Sequence, residues 1–214
     1  GDDRGRRGVP QRAGCVGGTR GAVWGEGGRV YLQRPTRRWS RAGVREGVGR
    51  VTRVGFTGTQ VGCTDAQIAA LTRTLVELRD DPPLFLRVDP LGADEFVLHH
   101  GSCVGADAEA HYVARVMGAA VEKHPPAITS KMARCGMLPG EVTHPAAGYL
   151  ARNIAIVKAT VVLVACPREE VGEERRSGTW HTIRRARALR RPVAIVRPSG
   201  RVEWERCNFS GRDT

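Results

Sequence analysis

Thr160-Val-Val-Leu-Val-Ala-Cys166 is a near-continuous apolar run. A strand that buries one face alternates apolar with polar residues. A strand covered on both faces does not alternate, and such strands lie at the centre of parallel sheets. The flanks fit that reading. Ala147 to Lys158, just before it, is predicted as a helix. After it come a charged loop, Pro167 to Ser177, then a helix from Gly178 to Leu189 with an Arg-rich outer face, then the strand Pro192-Val-Ala-Ile-Val-Arg197.

The same alternation continues toward the N-terminus. Val51-Thr-Arg-Val-Gly-Phe56 reads as a first strand. Thr64-Asp-Ala-Gln67 has the spacing of a capping box, in which Thr64 accepts from the Gln67 amide and Gln67 reaches back. Ile68, Leu71, Leu75 and Leu78 follow at helical spacing, so a helix should run to about Arg79, where Asp81-Pro-Pro83 stops it. Glu95-Phe-Val-Leu-His-His100 is a second strand, Ala106 to Met117 a second helix, and Ala119 to His124 a short third strand. Residues 125–146 hold four prolines and form a long loop, the kind that serves as a lid or binding segment or is disordered. The order β-α-β-α-β-loop-α-β-α-β predicts a Rossmann-like three-layer α/β fold over residues 51–198, with a central, mainly parallel sheet and right-handed crossovers. Residues 199–214 form a polar C-terminal extension, expected to be a loose end with Trp204 able to pack back.

The chain has 214 residues and a net charge of +12. That charge is unevenly placed. Residues 1–53 hold 13 arginines against 4 acidic residues, and the rest of the chain holds 21 basic against 18 acidic residues. Residues 1–50 are Gly/Arg-rich without a period of 2 or 3.6, so they cannot bury enough apolar surface to offset ordering entropy. They are expected to be a disordered leader, or sequence upstream of the native product, with a nucleic-acid-tethering arm as the alternative. No apolar stretch stands behind their arginines as in a secretory signal, and no window of 18 apolar residues suggests a membrane span. Six scattered cysteines show no Cys-x-x-Cys spacing, which points to free thiols and a cytoplasmic location. The histidines, His99, His100, His111, His124, His144 and His181, show no metal-ligand spacing, so neither a metal nor another cofactor is expected.

In open parallel sheets, ligands bind beyond the carboxyl ends of the strands where the strand order reverses. Three loops fall there. In Gly55-Phe-Thr-Gly-Thr-Gln60, Gly58 permits close backbone approach, and Thr57 and Thr59 offer hydroxyls. In His100-Gly-Ser-Cys-Val-Gly-Ala-Asp107, Gly101 and Gly105 flank a turn that opens a helix, whose first amides suit a phosphate. Asp107 would repel phosphate, so it either caps the first turn or accepts from a ribose hydroxyl or base amino group. In Arg175-Arg-Ser-Gly-Thr-Trp180, Ser177, Gly178 and Thr179 offer amides and hydroxyls, and Arg176 adds charge. Each loop alone reads equally well as a tight turn or an ordinary cap. Three together, all entering helices, point to a phosphate site. On the helix Tyr149-Leu-Ala-Arg-Asn153, Arg152 could fork onto a phosphate or carboxylate.

These motifs, in this order and with His124-Pro-Pro126 between them, resemble the SLOG superfamily in its YpsA-related, phage- and actinobacteria-associated branch. The resemblance spans residues 51–198. Related families include cytokinin-activating phosphoribohydrolases and DNA-processing protein A. It implies a Rossmann-like domain that binds a nucleotide or nucleotide-derived small molecule, as a sensor or carrier, and homodimers are common in the related families. Ser177-Gly178-Thr179 match the phosphate loop of the phosphoribohydrolases in degenerate form. Arg152 matches their arginine, and Asn153 replaces the lysine beside it. Those enzymes place a glutamate after Gly-Thr, whereas Trp180-His-Thr-Ile-Arg184 follows here. Loss of a positioned general acid or base typically costs about 10²–10⁴ in rate. Hydrolysis of a nucleoside 5′-monophosphate to base and ribose 5-phosphate is therefore the second expectation, with Asp107 and Arg152 as candidate catalytic groups. Single-stranded DNA binding through the tail or the Arg184–Arg191 face is the third. Aromatic residues for base stacking are scarce, at 5% of the chain.

Overall fold

The computed structural model describes residues 51–86, 95–136 and 138–206, so expectations for residues 1–50 and 207–214 lie outside the described residues. Among the described residues there are four α-helices and seven strands. They are β1 (Val51–Gly58), α1 (Asp65–Asp80), β2 (Glu95–His100), α2 (Ala106–Met117), β3 (Ala120–Lys123), β4 (Val142–Thr143), α3 (Tyr149–Ala159), β5 (Val162–Cys166), α4 (Gly178–Ala188), β6 (Val193–Val196) and β7 (Val202–Glu205). One sheet takes the order β4-β3-β2-β1-β5-β6-β7, parallel throughout except between β6 and β7. The sequence order runs outward from β1 in both directions, so the reversal lies between β1 and β5.

The central run behaves as its composition requires. Val162, Val164 and Cys166 face one core cluster, shared with Leu71, Leu75 and Leu78 of α1. Leu163 and Ala165 face the other, with Trp180 and Ile183 of α4. Fully burying a Leu or Val side chain is worth about 1.5–3 kcal/mol, and both faces of β5 contribute. α1 and α2 pack together on one face, α3 and α4 on the other.

The capping box forms as expected. Thr64 Oγ1 accepts from Gln67 N, and Gln67 Oε1 accepts from Thr64 N, both at 3.1 Å. The Gln67 side chain also donates from Nε2 to Pro167 O and Val196 O, at 2.9 Å each. One buried amide thereby ties the carboxyl ends of β5 and β6 to the start of α1.

Two elements depart from expectation. The polar extension is not loose through Glu205: β7 pairs with β6, and Trp204 packs on Phe85 with ring centroids 5.4 Å apart. Glu203 and Glu205 on this strand pair with Arg197 and Arg187, so β7 is charged on its polar side, as edge strands tend to be. Within the long loop, Val142–Thr143 adds parallel to β3 at the other edge. Two residues carry no period, so the sequence holds no signal for that strand. Two other points of the loop are also held. Glu141 accepts from both Arg115 and Lys123, and the backbone of Ala133 donates to Ser102 O at 2.8 Å. No described helix is long and apolar enough to cross a membrane. Cys63, Cys103, Cys135 and Cys166 are free thiols.

Candidate functional site

The carboxyl ends of β1 and β5 and the starts of α3 and α4 enclose a cleft of about 440 Å³. Nine of the twelve residues singled out above line it: Thr57, Gly58, Thr59, Asp107, Arg152, Asn153, Ser177, Gly178 and Thr179. Gly101, Gly105 and Arg176 do not line it, although the turn between the first two reaches it through Cys103. Arg176 is exposed, and its backbone N–H donates to the Glu174 carboxylate.

The first loop is a support. A Cβ at Gly58 would sit 2.3 Å from the Ala106 Cβ, so the close approach this glycine allows is to α2. Thr57 is buried and donates from Oγ1 to Thr182 Oγ1 at 3.4 Å, and Thr182 donates on to Gly178 O at 2.9 Å. Asn153 Nδ2 donates to the same carbonyl at 3.4 Å. Thr57 and Asn153 thus brace the first turn of α4 from beneath.

The second loop is closed on itself. The Ala106 N–H donates to Thr59 O at 3.0 Å, which occupies the first helical amide of α2. Gly105 takes φ +82°, and a Cβ there would meet Gln60 O at 2.4 Å. The buried Asp107 carboxylate accepts from Cys103 N at 3.0 Å, with the Gly101 amide also turned toward it. Asp107 therefore caps the turn. Burial pushes its carboxyl up to about 6, against the opposing pull of those amides and Arg152.

The third loop is open. Ser177 Oγ caps α4 by accepting from Trp180 N at 3.4 Å. Nothing stands within 4 Å of a Cβ built on Gly178. The N–H groups of Gly178 and Thr179 have no partner among the described residues, as expected of the first turn of a helix. They carry the positive end of the α4 dipole, about half a unit charge.

Arg152 is buried and mostly engaged. Nη1 donates to Gly101 O at 2.9 Å and to Cys103 Sγ at 3.2 Å, and Nε and Nη2 both donate to Asn153 Oδ1. Of five guanidinium hydrogens, one on Nη2 remains. The sequence reading missed Lys131, Arg168, Glu169 and Glu174, which also line the cleft. Lys131 comes from the long loop and the others from the charged loop after β5, where no spacing distinguishes them from solvated charges. Glu169 accepts from Trp180 Nε1 at 2.7 Å. Three cationic side chains, Lys131, Arg152 and Arg168, thus share the cleft lining with three carboxylates, Asp107, Glu169 and Glu174.

The Arg-rich face of α4 is partly neutralised. Arg187 pairs with Glu205 and Glu173, and Arg184 donates to Arg175 O at 3.0 Å.

No family model matches the chain, and no curated protein does. Solved structures give three likenesses in fold. A molybdenum cofactor binding protein from the phototrophic bacterium Rippkaea orientalis matches at TM-score 0.48 and 18% identity, over 69% of this chain and 77% of that one. DNA processing protein A from Streptococcus pneumoniae matches at TM-score 0.46 and 17% identity, over 68% of this chain and 50% of that one. The protein TM1055 matches at TM-score 0.42 and 17% identity, over 66% and 72%.

Proposed function

We propose that the cleft binds a nucleotide or nucleotide-derived ligand by its phosphate, with the protein acting as a sensor or carrier. The observation that carries this reading is the open first turn of α4. Two amides with free hydrogens, the adjacent Ser177 and Thr179 hydroxyls and the space beside Gly178 match what a phosphate requires. Lys131 and Arg168 add charge, and Asp107 at the cleft wall suits a ribose hydroxyl or a base amino group. Isothermal titration and thermal-shift screens across nucleoside phosphates, ADP-ribose and cyclic nucleotides test it. One member should bind at one per chain, and silence from all of them removes the reading.

A second reading is favoured by one observation. Asp107, poised at about 6, and Glu174 both line the cleft, so acidic groups are present although the residues after Gly178-Thr179 supply none. That supports hydrolysis of a nucleoside 5′-monophosphate, with Asp107 activating water and Arg152 steadying the phosphate. Release of free base from purine or pyrimidine monophosphates, lost in Asp107→Asn, is the expected result. No base released from any of them excludes it. Single-stranded DNA binding gains no comparable support, since Arg187 and Arg184 of α4 are already engaged.

A further inference from the structure

Away from the cleft, at the β4 edge of the sheet, four side chains converge. β2 and β3 are parallel with His99 opposite Glu122, and β3 and β4 with Lys123 opposite Thr143. Alternation puts Glu122 and His124 on one face of β3, and His144, one residue past Thr143, comes level with His124. One ligand atom from each of His99, Glu122, His124 and His144 lies within 4.8 Å of every other. His99 Nδ1 is 3.1 Å from His124 Nε2 and 3.6 Å from Glu122 Oε2, and His144 Nε2 is 2.7 Å from Glu122 Oε2. The His124 and His144 rings stack at 4.1 Å.

We infer that His99, Glu122, His124 and His144 form a binding site for a divalent transition-metal ion of the zinc type. Tetrahedral ligands at 2.0–2.1 Å from zinc stand about 3.3 Å apart, and the distances above bracket that spacing. Three imidazole nitrogens and one carboxylate oxygen suit zinc or cobalt better than magnesium or calcium, which prefer oxygen throughout. His99 and His124 are buried, so the site is largely shielded from solvent.

Arg53 sets the outer contacts. It pairs with Glu122 Oε1 and donates from Nη1 to His99 Nε2 at 3.1 Å. A metal on His99 Nδ1 requires the ring proton on Nε2, so Arg53 must release that nitrogen and keep only Glu122. Its side chain is 40% exposed, which leaves it room to move. Four protein ligands leave no open position, so the ion is structural. It ties the long loop, through His144, to β2 and β3. That loop also carries Lys131, a cleft residue, so metal and cleft are linked through one segment.

The test uses the full chain stripped with EDTA and then titrated with Zn²⁺ by calorimetry and with Co²⁺ by visible absorption. One ion per chain, strong tetrahedral Co²⁺ bands, a raised melting temperature and slower proteolysis within residues 125–146 are expected. His144→Ala removes a half-exposed ligand and should weaken binding at least tenfold, while Arg53→Met keeps all four ligands and should bind as tightly or more so. Absent Co²⁺ bands, or equal affinity in the wild type and His144→Ala, overturns the inference. None of these readouts involves a nucleotide, so failure here and failure of the cleft reading are separable.

Discussion

The starts of α2 and α4 sit on the same rim and handle their polar groups in opposite ways. At α2, the Ala106 N–H is bonded to Thr59 O, Asp107 turns back onto the Cys103 and Gly101 amides, and Gly105 is pressed against Gln60. At α4, Gly178 and Thr179 keep their N–H groups free beside open space, and Thr57, Thr182 and Asn153 brace them from below. A small-residue turn before a helix therefore has two uses: it can lock a helix to a strand, or it can present amides to an anion. What decides is whether a neighbouring backbone carbonyl has already taken the first amide.

Substitutions should separate the two. Gly105→Ala attacks the locked turn and should have the largest effect. Its positive φ and its contact with Gln60 O leave no room, so a loss of about 3 kcal/mol or more is expected in denaturant unfolding.

Asp107→Asn comes next, and its signature is a pH slope. The folded carboxyl sits near 6, above its usual value of 3.8. Between those values the folded state holds a proton that the unfolded state has lost. Asp107 therefore makes wild-type stability fall as pH rises from about 4 to 6, with no further change above. Subtracting the variant's stability curve from the wild type's should reveal that fall, on the order of 3 kcal/mol. The subtraction matters because His99, His111 and His124, all pushed down to about 4, give the opposite slope over an overlapping range. A flat difference would mean Asp107 titrates normally and the turn is not closed around it.

Gly178→Glu strikes the open turn. The side chain enters free space and its charge favours the helix start, so the melting temperature should hold. Nucleotide affinity should fall at least tenfold, about 1.4 kcal/mol. If affinity survives, the phosphate lies elsewhere.

Ser177→Ala is the smallest. The capping bond is long at 3.4 Å, so about 0.5 kcal/mol of stability and a few-fold in affinity are expected.

The fold was largely legible because its signals are local. The apolar run of β5, the Thr64/Gln67 box and the leucine spacing of α1 each carry their own period. β4 and β7 were not, since the first is two residues long and the second owes its place to pairing with β6. The cleft was legible in its glycines and hydroxyls but not in its charges. Glu174 and Arg168 look like any solvated pair in a charged loop until the loop folds over α4. The histidine cluster leaves little trace in the sequence, because His99, Glu122, His124 and His144 meet across three strands, with only Glu122-Lys-His124 at strand spacing.

The most direct test of the account is an amide NMR titration of the full chain with the tightest-binding nucleoside phosphate. The Gly178 and Thr179 N–H resonances should move downfield and saturate together, while Ala106, already bonded to Thr59, stays in place. Saturable binding that shifts Ala106 and leaves Gly178 and Thr179 unmoved would contradict it.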